Sequence, residues 1–492
     1  MRRLVSKTKM MWGVLLMLPS LAFTSVKAQE APIVLSLEKA LEIAMSENPT
    51  VLVADREIEK KKYAQKGSYA ALFPQINFGA DYNRTLKKQV MYMDGSFDIV
   101  GMMEPVFTGI ENTFKSQVEG YDPNTLLGEI GAAMGPTEEE SDGGISVGRD
   151  NNWSFGFNAG MPLVNVMLWK SLKISAIDVE LAIEQARSSK IDMVNQVTKS
   201  YYSVMLANDS YRVFKESFDN AMDNYNDIKQ KFDQGLVAEY DLIRADVSVR
   251  NIEPNVLQAE NMAKLAKWQL KALLGMDLDL AIECEGQLTD FKENLYGDYM
   301  SLDTTLVENT TLRQLDIQNN MLSATLKMQR AEYLPTLNLS GLYNWTSMNN
   351  DFKFGEYRWN PYSMVGLSLN IPLFSGGARK QKINQTRVTM SQLALQRTDL
   401  QRNLQLAVRQ YMDNMTTCIK RFDAAKRGVE QAERGYMISQ KRYETGAGTL
   451  LELNDAELAM TQARLNYNQA IYDYMSAKAD LDKTVGKFNE KK

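Results

Sequence analysis

The chain has 492 residues, with 56 Lys+Arg against 61 Asp+Glu, no His, two Cys and 44% apolar residues. This ordinary charge content excludes wholesale disorder, and the length is ample for a large buried surface. Without histidine the commonest general base and metal ligand are gone, and Cys284 and Cys418 form no Cys-x-x-Cys pair. A hydrolase or metalloenzyme is therefore disfavoured; no catalytic residue, cofactor or metal ligand is assigned. Only 29 Gly and 12 Pro punctuate the chain, which favours long helices.

Residues 1–28 read as a cleaved signal peptide. Arg2, Arg3, Lys7 and Lys9 precede the apolar stretch Met10 to Phe23, and Val26-Lys27-Ala28 fits a cleavage site. That stretch is short for the roughly 20 residues of a membrane span, and Pro19 interrupts it. Its removal leaves 51 bases against 61 acids, a balance that argues against a nucleic-acid partner. No later apolar run is long enough for a spanning helix, so any further membrane crossing falls to strands.

The chain contains itself twice. Glu47-Asn48 matches Glu308-Asn309, Pro74 to Phe78 matches Pro335 to Leu339, and Tyr82-Asn83 matches Tyr343-Asn344, all 261 positions apart. Gly156 to Leu163 matches Gly366 to Leu373 at offset 210. Phe232, Gly235, Asp241 and Gly275 then match Tyr443, Gly446, Glu452 and Gly486 at offset 211. Two copies are too few for a solenoid and imply pseudo-symmetry about an axis, with about 51 extra residues in the first copy.

Each copy reads as helix, strand, strand, long helix, turn, helix. Ile76, Phe78, Ala80 and Tyr82 alternate with Gln75, Asn77, Gly79, Asp81 and Asn83; Trp153, Phe155, Phe157, Ala159 and Met161 alternate with Asn152, Ser154, Gly156, Asn158 and Gly160. Leu337, Leu339, Tyr343, Trp345 and Val365, Leu367, Leu369, Ile371 repeat the pattern. Apolar residues on one face, Asn/Ser/Gly on the other and aromatics near the strand ends are the pattern of a membrane barrel with a polar lumen. A half-buried sheet in a soluble sandwich shares the alternation. Four strands cannot close a barrel, so the reading requires an oligomer. Val164 to Asp233 and Phe374 to Glu444 hold no proline, and each could reach ~100 Å as one helix. Their apolar residues, including Ile174, Ile177, Leu181, Ile191, Val194, Val197, Tyr201 and Val204, recur at side-by-side packing intervals.

This plan resembles the TolC-like outer-membrane efflux proteins over essentially the whole mature chain. The resemblance rests on Leu37-x-x-Ala40 with Ala44 and Asn48-Pro49, Phe73-Pro74 and Leu334-Pro335, and Ile371-Pro372-Leu373-Phe374-Ser375-Gly376-Gly377. It rests also on the tip runs Phe232 to Leu236 and Tyr443 to Ala447. It implies an α+β membrane protein whose homotrimer forms a twelve-stranded β-barrel continued by a periplasmic α-helical barrel. The expected parts are a helical segment (29–73), a strand pair (74–163) with an acidic extracellular insert at about 84–151, and a helical hairpin (164–275, tip near 235). An equatorial segment (276–311), a second-copy helix (312–334), a second strand pair (335–373), a second hairpin (374–486, tip near 446) and a tail (487–492) complete it.

The implied function is the exit duct of a tripartite efflux system in the outer membrane of a Gram-negative bacterium, exporting small molecules such as drugs and detergents. The implied partners are a periplasmic adaptor (membrane fusion) protein, an inner-membrane transporter of RND or ABC type and outer-membrane lipid. A duct for protein secretion or metal-ion efflux is the alternative; a periplasmic coiled-coil protein without a pore is the reading from another class. Matched to the family's tip run, the acids ringing the periplasmic aperture fall on Glu452 and Asp455, the tyrosine of the closed state on Tyr443 and its acidic partner on Asp241. The family's closing arginine falls on Gly448. Glu452 and Asp455 equally fit helix-start acids favoured by the macrodipole. Gly235-Leu236 and Gly446-Ala447 lie where the chain reverses and are candidate adaptor-docking tips, although turn chemistry alone also demands glycine there.

Overall fold

The computed structural model describes residues 32–92, 105–106, 108–113, 116, 144–292 and 304–487. The expected signal peptide, most of the acidic insert and the last five residues lie outside them. The described chain divides into two compact units, one drawn from Met1–Lys62, Ile177–Met321 and Thr389–Lys492, the other from Tyr63–Ala176 and Leu322–Val388.

The Tyr63–Ala176 and Leu322–Val388 unit is built on a four-stranded antiparallel sheet. Its strands are β2 (Gln75–Arg84), β5 (Asn151–Val164), β7 (Thr336–Asn349) and β8 (Asn360–Asn370), in the order β2-β5-β7-β8. Strands β1 (Ile33–Leu35), β3 (Gln89–Tyr92), β4 (Gly144–Val147) and β6 (Ile282–Cys284) belong to two smaller pairs. Register decides which side chains share a face. Phe78 lies opposite Phe157, Phe157 opposite Tyr343, Tyr82 opposite Trp153, Phe155 opposite Trp345 and Leu339 opposite Leu367. Asn77 lies opposite Asn158, Ser154 opposite Thr346 and Asn338 opposite Ser368. Because side chains alternate strictly, one face is aliphatic and aromatic and the other mostly Asn, Ser and Gly.

The apolar face lies open: Phe78 is 61% exposed, Val365 80% and Leu367 67%. Toward the β7–β8 turn it becomes an aromatic cluster. Tyr82 and Trp153 lie 4.2 Å apart, Phe155 stacks on Trp345 at 5.2 Å, and Phe354 and Trp359 from the turn reach Trp153 and Phe155. Proline marks the sheet borders. Pro74 precedes β2, Pro335 precedes β7 and Pro372 follows β8, whereas Pro162 lies inside β5, at a register shift that takes up its missing N–H.

Seven helices of the described residues matter here: α1 (Leu37–Glu47), α2 (Pro49–Tyr69), α3 (Val166–Asp233), α4 (Glu239–Leu274), α5 (Thr310–Ala331), α6 (Ala378–Glu444) and α7 (Leu450–Val485). None is both long and apolar enough to cross a membrane. Of the residues singled out by helical spacing, Ile177, Ile191, Val197, Tyr201 and Val204 are buried. Val197, Tyr201 and Val204 share one core with Leu35, Leu270, Leu274, Met415, Ile471 and Tyr474.

The repeated Glu-Asn and Gly positions have a common physical cause. Asn48 Nδ2 donates to the Leu273 carbonyl at 2.7 Å, and Asn309 Nδ2 donates to the Thr484 carbonyl at 2.7 Å. Each thereby satisfies a carbonyl left free at a helix C-terminus. Gly275 and Gly486 end those helices at φ +71° and +78°, where a β-carbon would run into the backbone carbonyls of Glu47 and Glu308. Arg187 fastens the second copy, reaching Glu308 at 3.0 Å and the Gly486 carbonyl at 3.3 Å. The inter-copy segment supplies β6, which pairs in parallel with β1; Tyr201 Oη holds the pair by donating toward the Leu35 and Glu285 carbonyls, each at 3.0 Å.

Gly486→Ala should therefore lower stability by about 2 kcal/mol or more, since both φ and the Glu308 carbonyl oppose a methyl group. Gly67→Ala, in the last turn of α2 with open space around it, should raise it by about 0.5 kcal/mol. Denaturant unfolding of the two purified variants checks both signs.

Candidate functional site

The two helix tips are built alike. At the first, Gly235 (φ +72°) donates to the Phe232 carbonyl at 2.8 Å and Leu236 to the Lys231 carbonyl at 2.8 Å. At the second, Gly446 (φ +74°) donates to the Tyr443 carbonyl at 3.0 Å and Ala447 to the Arg442 carbonyl at 2.8 Å. This left-handed closure satisfies the last carbonyls of α3 and α6 and demands glycine. Leu236 and Ala447 project into solvent.

Beneath the tips Ile228, Ala245 and Leu450 are buried together, with Tyr225, Val237, Leu242 and Tyr443 packed around them. Tyr443 thus joins α6 to both helices of the first hairpin. Lys231 Nζ stands 5.6 Å from its ring centroid, while Lys231 itself pairs with Asp227 at 2.6 Å. Burial pushes the Tyr443 phenol up; Lys231 opposes that, and the carboxylates of Asp227 and Asp241 add to it. Asp241, in the first turn of α4, is thus an electrostatic neighbour of Tyr443, but no hydrogen bond joins the two in this protomer.

Glu452 is committed locally. Its backbone N–H donates to Thr449 Oγ1 at 3.3 Å and its carboxylate accepts from the Thr449 N–H at 3.4 Å, a capping box that starts α7. Arg442, across the turn, reaches the same carboxylate at 3.5 Å and the Ala447 carbonyl at 3.1 Å. Gly448 makes this possible: a β-carbon there would meet Arg442 Cβ at 3.0 Å. The guanidinium of this tip therefore comes from residue 442, not from position 448. Asp455, one turn further on, is exposed and makes no hydrogen bond or ion pair among the described residues. It lines the mouth of a groove of about 340 Å³ between α3, α4 and α7, with Arg244, Asn251, Asn454 and the buried Glu457.

Sequence reasoning passed over Arg442, Lys231 and Glu457. The Thr449-x-x-Glu452 spacing was a readable capping signal; nothing in the sequence marked Glu457 as buried.

A sheet polar on one face and apolar on the other is followed in the chain by helices of 68 and 67 residues, the plan of the outer membrane efflux protein family. The family model for outer membrane efflux proteins matches residues 128–276 and 301–487, and the chain belongs to that family. Among its relatives, outer membrane protein TolC of Vibrio cholerae is 22% identical over 346 residues, 68% of this chain and 77% of that protein. Alkaline protease secretion protein AprF of Pseudomonas aeruginosa is 23% identical, covering 67% and 68% of the two chains. The Campylobacter jejuni CmeC outer membrane channel shares the fold with a TM-score of 0.65 at 16% identity, over 93% of this chain and 87% of that one. The place of this chain is the outer membrane.

Thr449→Ala should cost about 1 kcal/mol of local stability, and Ala238→Ser, at the uncapped start of α4, should gain a similar amount. Amide hydrogen exchange in the first turns of α7 and α4 should accelerate about fivefold in the first variant and slow comparably in the second.

Proposed function

We propose that three copies of this chain form the outer-membrane exit duct of a tripartite efflux system. The observation that carries this reading is the sheet with two sorted faces and two unpaired edges, β2 and β8. Pairing β2 of one copy with β8 of the next would satisfy both edges and carry the apolar face around a twelve-stranded barrel, as lipid requires. The Asn- and Ser-lined face then borders the lumen. The long hairpins extend toward the periplasm, and their tips meet a periplasmic adaptor and, through it, an inner-membrane transporter of RND or ABC type. Small toxic molecules are the cargo; a second reading, protein secretion, is favoured by the likeness to AprF, an alkaline protease secretion protein.

In this reading Asp455 and Glu452 surround the periplasmic aperture, and threefold repetition concentrates negative potential there. Tyr443 and Asp241 hold the closed state from the tip cluster, and Gly235-Leu236 with Gly446-Ala447 receive the adaptor. Purified protein should migrate as a trimer and conduct ions in planar bilayers with cation preference; a folded, membrane-inserted monomer would sink the architecture. Asp455→Asn should reduce that preference more than Glu452→Gln, because Glu452 already shares its charge with Arg442 and the Thr449 cap. Equal preference in both variants and wild type would move the constriction elsewhere. A bulky residue at Gly235 or Gly446 should abolish export in cells while leaving trimer yield intact.

A further inference from the structure

Glu457 lies two positions beyond Asp455 on α7 and is only 3% exposed. Its equivalent in the first copy, Asp246 on α4, is an ordinary surface acid paired with Arg250 four residues on at 2.7 Å. At the corresponding place after Glu457 stands Thr461, itself buried, so the i+4 cation is missing. Glu457 instead meets α3: Ser217 Oγ donates to its Oε1 at 3.4 Å, and the Asn220 side chain also bonds it.

The charged surroundings do not neutralise it. From α3 Glu216 adds a like charge. Arg464, two turns along α7, is divided between Glu216 at 2.9 Å and Glu433 of α6 at 2.9 Å. From α6 Tyr436 faces Glu457 and Glu216, its phenol pushed up to about 12 by burial and by their charge. From α4 Arg244 lines the same 340 Å³ groove as Glu457 and Asp455 without an ion pair to either. Burial without a cation beside it, together with the neighbouring Glu216 carboxylate, favours the protonated acid in this seat and outweighs the Ser217 and Asn220 donors.

We propose that Glu457 is a protonation-controlled brace at the α3–α7 seam: the neutral acid holds α7 on α3, and the carboxylate loosens that seam and frees the tip that carries Glu452 and Asp455. The groove beside it gives the proton a path to solvent. This rests on the aperture reading above.

Burial, as the first cause, and Glu216 push the Glu457 carboxyl up to about 7 against 4.5 when free, while Asn220 and Ser217 hold it back. A raised carboxyl means that the seated state binds the proton more tightly than the loosened one. The brace is thus complete below about pH 4.5, is lost as pH rises to about 7, and changes no further above that. The seating equilibrium shifts by up to about two orders of magnitude across the window.

The test compares the full chain with Glu457→Gln and Glu216→Gln in planar bilayers between pH 5 and 8. Wild type should open increasingly up to about pH 7 and then level off. Glu457→Gln keeps every other titrating group and the Ser217 contact, and should stay at the acid-side open fraction throughout. Glu216→Gln should move the midpoint to lower pH. Wild type and Glu457→Gln with the same pH profile would overturn the brace, as would an unmoved midpoint in Glu216→Gln. Hydrogen exchange over residues 450–461, corrected for intrinsic pH dependence, reads the seam without a pore. Protection should fall at least about tenfold from pH 5 to 7 in wild type and hold in Glu457→Gln; equal falls in both would overturn the brace. If no variant conducts at any pH, the duct reading fails and the exchange result alone decides the brace.

Discussion

An unpaired strand edge is tolerable in water and intolerable in lipid, and the rest of this molecule follows from that constraint. The sheet β2-β5-β7-β8 leaves the donors and acceptors of two edges unmatched and turns Ile76, Phe78, Val365, Leu367 and Leu369 outward on one face. A soluble protein would cover that face with a helix or second sheet; among the described residues this unit places an aromatic turn, Phe352 to Trp359, against its end. In the proposed trimer, burial of the face and completion of the edges come from lipid and from neighbouring copies, so membrane insertion and self-association would be one event.

Duplication explains how one chain supplies both halves of a duct wall, and divergence explains what each half does. Helices α4 and α7 each span 36 residues at offset 211, and the tips share the same left-handed turn. At equivalent places, however, Asp241 corresponds to Glu452, Arg244 to Asp455, Ala238 to Thr449 and Pro254 to Leu465. The first hairpin balances an acid with a base at its start; the second carries two acids, firmly capped. Pro254 removes a helical N–H from the middle of α4, a weakness that α7 lacks. The hairpin with the exposed acid is thus the one whose helix starts on a firm cap and runs without a proline.

Strands, long helices and tips were legible because each rests on a periodic or punctuated signal: alternation in Ile76 to Tyr82, proline-free spacing after Val164, glycine at 235 and 446. The repeated Glu-Asn and Gly positions were visible as a duplication, but their meaning, a side-chain amide closing a distant helix end, needed coordinates. The β1–β6 pair was not legible, since three residues carry no period and its anchor, Tyr201, sits more than 80 positions from either strand. Glu457 was hidden for a different reason. An acid on a helix otherwise rich in acids reads as solvated, and only the packing of α7 on α3 reveals it as buried.

The strip that the long helices bury is narrow, and much of it is alanine or small polar residues, as with Ala182, Ala186, Asn195 and Ser217, which suits the proposed duct wall, wet on two sides. Such a strip favours association while discriminating poorly between one register and the next, because a slip of a turn would lose little apolar area. Polar pegs supply the discrimination. Asn195 Nδ2 and Lys199 Nζ both reach the Asp480 carboxylate at 3.0 and 2.9 Å, Lys483 meets Asp192 at 2.8 Å, and Arg464 spans Glu216 and Glu433. Each contributes little net stability, but a slipped register would strand several partly buried charges at once. Long thin helices held this way can be firm in register and still loosen locally where a peg changes its charge.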